Sequence, residues 1–186
     1  MAVQALLDSA VAFCEGSMAL RHRLDTTTQM PGWGEVSLDL PPQQSVARVL
    51  TVWADGVKLQ PTATENAPAL AAIGAPVTYY TRRNDSEFQL VLYPTPAQSC
   101  KVAVEVALRP TYSATAVEND LFDLWMPAVI AGAKALLMAI PDQPFSNPLM
   151  APVHADEAAR RTSKARIEGS YGRTRGEFRT QMRPFV

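Results

Sequence analysis

Residues 120–140, DLFDLWMPAVIAGAKALLMAI, form the most apolar run of the chain. Apolar side chains recur there at helical spacing, and others fill much of the opposite side, as in a helix that is buried on most of its surface. Either Asn119 or Asp120 can cap its start, and Pro141 ends it. The side chains that we expect to pack in the core are Leu121, Leu124, Trp125 and Val129.

A membrane span is the other interpretation of this run, since about 20 residues with few charges suffice to cross a bilayer. Asp123 and Lys134 disfavour it, and so does Pro127 near the start. We therefore predict a buried core helix and no membrane. Pro127 either kinks this helix or lies close to its first turn, because proline clashes with the carbonyl group four residues earlier. Gly132 has no side chain and would let another helix approach closely.

The chain has 186 residues, and we expect residues 1–168 to form one domain. Its net charge is −1, but this charge is unevenly distributed. Residues 160–186 contain eight basic and two acidic residues, a net charge of +6, so residues 1–159 carry −7. An acidic body with a basic tail indicates that the protein has a partner.

Two isolated cysteines, Cys14 and Cys100, are too few for a disulfide framework. We expect both to be reduced thiols. The N-terminus lacks the basic segment and apolar core of a signal peptide. These features predict a protein that is made and kept in a cytoplasm, or assembled from one.

The segments around the central run alternate between helix and strand patterns. Residues 3–24 predict an amphipathic helix and residues 154–167 a polar one, which the rigid, extended, proline-rich segment 141–152 joins to the central helix. Residues 34–109 predict five or six short antiparallel strands, and Asp55-Gly56 is typical of a type I′ hairpin turn. The last strand, residues 101–109, alternates strictly, which predicts that Val102, Val104, Val106 and Leu108 point inward. The predicted fold is α+β: a small bundle of two long helices plus a polar C-terminal helix, an inserted antiparallel sheet or sandwich, and an extended C-terminal arm.

The sequence contains no catalytic, metal-binding or cofactor-binding pattern that we would assign. Neither histidine, His22 or His154, is paired with a cysteine or carboxylate at ligand spacing. The nucleophile elbow, the phosphate-binding loop and the dinucleotide fingerprint are missing. Asp120 and Asp123 are better explained as helix-start residues, where the helix dipole favours negative charge, than as a catalytic pair. We expect neither an enzyme nor a cofactor.

The C-terminal arm, residues 169–186, mixes arginines with aromatic residues and shows no helical or alternating period. Fully extended, it would reach about 55–60 Å, whereas a globule of this length has a radius of gyration of about 16 Å. The arm can therefore leave its own domain, and its aromatic content disfavours the alternative of a disordered, solvated tail. The residues expected to bind a partner are Tyr171, Arg173, Arg175, Phe178, Arg179, Arg183 and Phe185.

The order of these elements resembles that of the head-to-tail connector proteins of tailed bacteriophages, also called adaptor or neck proteins. The segments that show the resemblance are 38–41, 46–52, 55–59, 92–94, 121–125, 131–137 and the basic end. In that family, rings of twelve subunits lie beneath the portal. The resemblance implies that residues 169–186 grip the portal, that the helix 154–167 presents them, and that the β insert faces a neighbouring subunit or the tail.

The resemblance implies a structural virion protein that is made in the host cytoplasm. It would form a homo-oligomeric ring, a dodecamer, and join the portal protein to the next neck or tail protein. DNA would pass through the ring without sequence-specific binding, and the acidic body would let it slide. The alternative is a nucleic-acid-binding module whose basic tail grips phosphates and stacks on bases. The acidic body disfavours such a module, since it repels the same phosphates.

Overall fold

The computed structural model describes residues 1–63, 72–84 and 87–171, and these residues form an α+β fold with three helices. The predicted fold class is confirmed. The helices are α1 (Ala2–Ser17), α2 (Asn119–Met138) and α3 (Ala151–Tyr171). The strands are β1 (Arg21–Arg23), β2 (Thr27–Gln29), β3 (Glu35–Val36), β4 (Gln44–Ala54), β5 (Val57–Lys58), β6 (Gln60–Pro61), β7 (Ile73–Gly74), β8 (Thr78–Asn84), β9 (Glu87–Tyr93), β10 (Thr95–Pro96) and β11 (Cys100–Pro110).

Two mainly antiparallel sheets hold most of these strands. The first sheet has the order β1–β11–β4–β5, and β2 also pairs with β11. The second has the order β3–β9–β8–β6, in which the β6–β8 pair is parallel. A short parallel pair, β7 and β10, stands apart. The prediction of five or six strands was too low, because strands of two or three residues are too short to show an alternating pattern.

The Asp55–Gly56 turn joins β4 to β5, as predicted. Asp55 has φ 47° and Gly56 has φ 81°, and a type I′ turn requires positive φ at both positions. The hairpin places Trp53 opposite Lys58 in the register of the two strands. This turn therefore fixes which side chains of β4 and β5 lie on the same face of the first sheet.

One hydrophobic core joins both sheets and the three helices. The inward side chains of β11 alternate along the strand as predicted, and Val102, Val106 and Leu108 are fully buried among them. Leu90 and Leu92 of β9 bring the second sheet into the same core. A single cluster of buried residues therefore connects the sheets and the helices of the described part of the chain.

α1 is shorter than the predicted helix 3–24. It ends at Ser17, and Met18 follows in the left-handed conformation with φ 52°, while its N–H donates to the Cys14 carbonyl. Arg21–Arg23 then pairs with β11 in antiparallel register and does not form the last helical turn. The open edge of a long strand offers these residues backbone partners that their helix-like pattern did not reveal.

α3 is longer than the predicted helix 154–167, since it begins at Ala151 and passes Gly169. We expected residue 169 to begin the extended arm. Gly169 instead lies within the helix, and a Cβ there would make an ordinary van der Waals contact with the Met18 carbonyl oxygen at 3.6 Å. The predicted arm 169–186 therefore begins as helix, and its residues after Tyr171 lie outside the described part of the chain.

The three helices meet at Gly132 of α2, which confirms the predicted close approach. A Cβ at this position would overlap the Ser9 hydroxyl of α1 and lie 3.8 Å from Ala158 of α3. The Ser9 hydroxyl donates a hydrogen bond of 2.7 Å to the Val129 carbonyl. Pro127 lies inside α2 and beyond its first turn, so the second of its two predicted placements is wrong.

Candidate interaction surface

α2 is enclosed far less than its sequence predicts. By length and composition alone, α2 could cross a membrane, since the mean hydropathy of its most apolar stretch is 1.5. The chain itself buries only 28% of that stretch. α1 and α3 cover one side of it. Large apolar side chains remain exposed on the rest: Phe122, Leu124, Ile130 and Leu136. The expectation of a helix buried on most sides is therefore wrong for the single chain.

The four residues expected in the core have different surroundings. Leu121 and Val129 are buried, and Trp125 is half-buried with its ring centroid 5.8 Å from that of Phe13. Leu124 is not a core residue, because 43% of its surface is exposed. Its position faces a side of α2 that the described residues leave open.

An apolar groove of about 170 Å³ lies between α1 and α2. Phe122, which is 57% exposed, forms part of its wall, and so does Val3 near the start of α1. The other apolar side chains that line the groove include Leu6, Leu7, Ala10, Val117, Leu121, Met126 and Val129. A contiguous apolar surface of this kind marks an interaction site more often than scattered exposed residues do.

Gln43 fixes the segment that forms one wall of this groove. Its side-chain carbonyl accepts hydrogen bonds from the backbone N–H of Thr115 at 2.7 Å and of Ala116 at 3.2 Å. Its backbone carbonyl accepts the N–H of Thr111 at 2.9 Å. Gln43 immediately precedes β4, so this wall is tied to the start of the first sheet. The groove is therefore held by the fold and does not depend on a ligand.

A second exposed apolar region lies in the connection between α2 and α3. Leu149 is 85% exposed there, and Phe145, Met150 and Val153 are also open to solvent. The proline-rich segment was predicted to be extended, but it folds into turns. The N–H of Asn147 donates to the Met138 carbonyl at 3.0 Å, which brings the chain back against the end of α2.

α3 turns small side chains toward the other helices and charged ones toward solvent. Two ion pairs lie along it, Arg161 with Glu157 at 2.7 Å and Lys164 with Glu168 at 3.8 Å. The hydrogen bond from Arg161 lowers the pKa of the Glu157 carboxyl. Tyr171 is the last residue of α3. The other predicted partner-binding residues lie outside the described part of the chain: Arg173, Arg175, Phe178, Arg179, Arg183 and Phe185.

The described residues offer little reactive chemistry. Burial raises the pKa of the Cys14 thiol to about 12, and the charges of Glu118 and Glu15 add to this effect. Burial, followed by the charge of Asp55, also raises the pKa of Cys100. Such thiols are poor nucleophiles at neutral pH. No cluster of three or more metal-ligating side chains occurs in the residues that the structure covers.

Sequence reasoning did not find the groove, although a signal was present. An almost wholly apolar helix of 20 residues needs neighbours on all sides. The described part of this chain supplies only two other long helices, one of them polar. The excess of apolar surface on this helix was a signal for a contact with another molecule. Which of its side chains would stay exposed depended on how α1 and α3 pack against α2 at Gly132.

Comparison with models of known protein families finds no match, and comparison with curated proteins finds none either.

Proposed function

We propose that this chain is a structural virion protein, a head-to-tail connector that forms a ring beneath the portal and joins it to the next neck or tail component. The observation that carries the proposal is the exposed apolar surface of α1 and α2, which a second copy would cover. Head-to-tail contacts between identical subunits close into a ring when the rotation between neighbours permits it. Two packed sheets and a helical layer would give each subunit the rigidity that such a ring needs.

The basic C-terminal arm supports the same proposal from the sequence. α3 leads directly into it, so a ring would present many arms to one partner oligomer. Arms that bind together multiply a weak single contact through their effective concentration. The resemblance assigns this partner as the portal protein, with DNA passing through the ring.

The first experiment tests self-association of the purified full chain. We expect analytical ultracentrifugation to show oligomers, and we expect the double variant Phe122→Asp/Ile130→Asp to sediment as a monomer with unchanged circular dichroism. The matched control is Val57→Asp/Ile73→Asp, which charges two exposed apolar residues of the sheets. A full chain that stays monomeric at every concentration, or a control that dissociates equally, would count against assembly through α1 and α2.

The second experiment tests the connector role of the arm. Removal of residues 172–186 leaves α3 complete and should give a folded protein that no longer joins portal rings. A matched full-length variant, Arg160→Gln/Lys164→Gln, neutralises charges on α3 and should still join them. A truncated chain that assembles into complete particles would contradict the proposed role of the arm.

A further inference from the structure

The outer face of the first sheet contains a hollow of about 560 Å³ near the start of β11. Its floor is Ala103, whose small side chain leaves room above the strand. Its walls include Arg23, Trp53, Asp55 and Lys101. Among the described residues, its lining has no member in common with that of the groove of α1 and α2.

The register of the strands explains why these side chains share one face. Trp53 lies directly opposite Ala103 on one side and opposite Lys58 on the other. Lys101 is two residues from Ala103 on the same strand, and side chains two apart point to the same face. The neighbouring inward residues of β4 and β11 are fully buried, so this is the face that looks away from the core.

Three cations share this face with the tryptophan. The guanidinium carbon of Arg23 lies 5.2 Å from the centroid of the Trp53 ring. In the strand register the exposed Lys58 lies directly opposite Trp53, and the exposed Lys101 lies diagonally opposite it.

The carboxylate of Asp55 is engaged, because one of its oxygens accepts the backbone N–H of Lys101 at 2.8 Å. Glu105 lies directly opposite Arg23 and two residues from Ala103, so it shares this face. Three cations and two carboxylates, Asp55 and Glu105, give the face a net charge of +1, on a body whose net charge is −7.

We propose that this sheet face binds single-stranded nucleic acid, with Arg23, Lys58 and Lys101 contacting phosphates and Trp53 stacking on a base. Aromatic side chains on an open sheet give bases a flat surface on which to stack, and cations beside them contact the phosphates of the nucleic-acid backbone. Guanidinium groups also stack on bases, so Arg23 can contribute without leaving the ring of Trp53. This site goes beyond the connector role and does not depend on it.

The experiment measures binding of the full chain to a fluorescent oligothymidine of about 15 nucleotides, at about 50 and about 200 mM salt. The test variant is Arg23→Gln/Lys58→Gln/Lys101→Gln. The matched control is Arg173→Gln/Arg175→Gln/Arg179→Gln, which makes the same charge change in the arm. A third variant, Trp53→Ala, removes the stacking surface and keeps all the charges.

We expect the sheet variant to bind at least about tenfold more weakly. The slope of the logarithm of the binding constant against the logarithm of the salt concentration should become shallower by about two, since each lost phosphate contact on a single strand removes about 0.7 from this slope. Trp53→Ala should weaken binding about fivefold or more, and the arm variant should change it little. An oligonucleotide with iodouracil bases should also crosslink to Trp53 in the unaltered protein, which gives a readout that needs no variant.

Three results would overturn the proposal. The first is that the unaltered chain shows no binding at about 50 mM salt. The second is loss of binding in the arm variant alone, which would assign the affinity to the tail. The third is that Trp53→Ala binds as tightly as the unaltered chain, that both bind duplex as tightly as single strands, and that the crosslink is absent. This result would indicate that the chain attracts any polyanion.

Discussion

The strand β11 and the helix α2 are both rich in apolar residues, but the chain encloses them to very different degrees. β11 pairs with β1, β2 and β4, and its inward side chains are buried among both sheets. α2 has α1 and α3 on one side, and Phe122 and Ile130 on another side remain open. The difference indicates that β11 completes the subunit, whereas α2 has apolar surface left for a contact outside it.

The largest expected effect comes from truncating a side chain in each of the two elements. Leu108→Ala in β11 should lower the free energy of unfolding by about 2–5 kcal/mol, because it leaves a cavity in an enclosed core. Ile130→Ala in α2 should lower the free energy of unfolding of the monomer by less than about 1 kcal/mol, since part of this side chain is already in water. Urea unfolding at a concentration where the chain is monomeric measures both.

Leu108→Met, which nearly preserves volume, is the control for the strand and should cost less than about 1.5 kcal/mol. If Ile130→Ala destabilised the monomer as much as Leu108→Ala does, α2 would be enclosed by its own chain and the comparison would fail.

The next effect tests how tightly α2 is held on its covered side. Gly132→Ala places a methyl group against the Ser9 hydroxyl and should cost about 1–3 kcal/mol, as overpacking does in other cores. The double variant Ser9→Gly/Gly132→Ala removes that overlap and should recover part of the loss. Thermal unfolding of the two single variants and the double variant gives the coupling energy. Purely additive losses would show that the two residues do not meet.

The last prediction concerns Cys14, which lies in the core between α1 and the first sheet. Its pKa is raised from 9.0 to about 12 in the folded protein, so the folded state holds the thiol proton more tightly than the unfolded state does. Stability from this group is complete below pH 9.0 and should be lost as the pH rises toward about 12, with a slope of at most about 1.4 kcal/mol per pH unit.

The measurement is the difference in the free energy of unfolding by urea between the unaltered chain and Cys14→Ala across this pH range. The subtraction removes the contribution of the tyrosines, which titrate in the same range. Iodoacetamide should label Cys14 at neutral pH only after denaturant is added. Rapid labelling of the native chain would show that α1 opens readily from the sheet.

Sequence patterns predicted the long or chemically distinctive elements. Alternation over residues 101–109 identified β11. The Asp55–Gly56 pair identified the turn between β4 and β5, because few other residues accept two positive φ angles. The end of α1 at Met18 and the pairing of Arg21–Arg23 with β11 were missed. Nothing local distinguishes those residues from a helical turn, and their strand conformation depends on a neighbour more than 80 positions away.

The sequence by itself determined the α+β class, the apolar character of α2 and the charge contrast between the body and the tail, because composition and short-range periodicity carry that information. Only the tertiary structure decided which apolar side chains stay exposed and which cations gather around Trp53. Both depend on how elements distant in the chain cross and pair. The crossing at Gly132 sets how much of α2 is covered, and the strand register sets which residues share the outer face of the sheet.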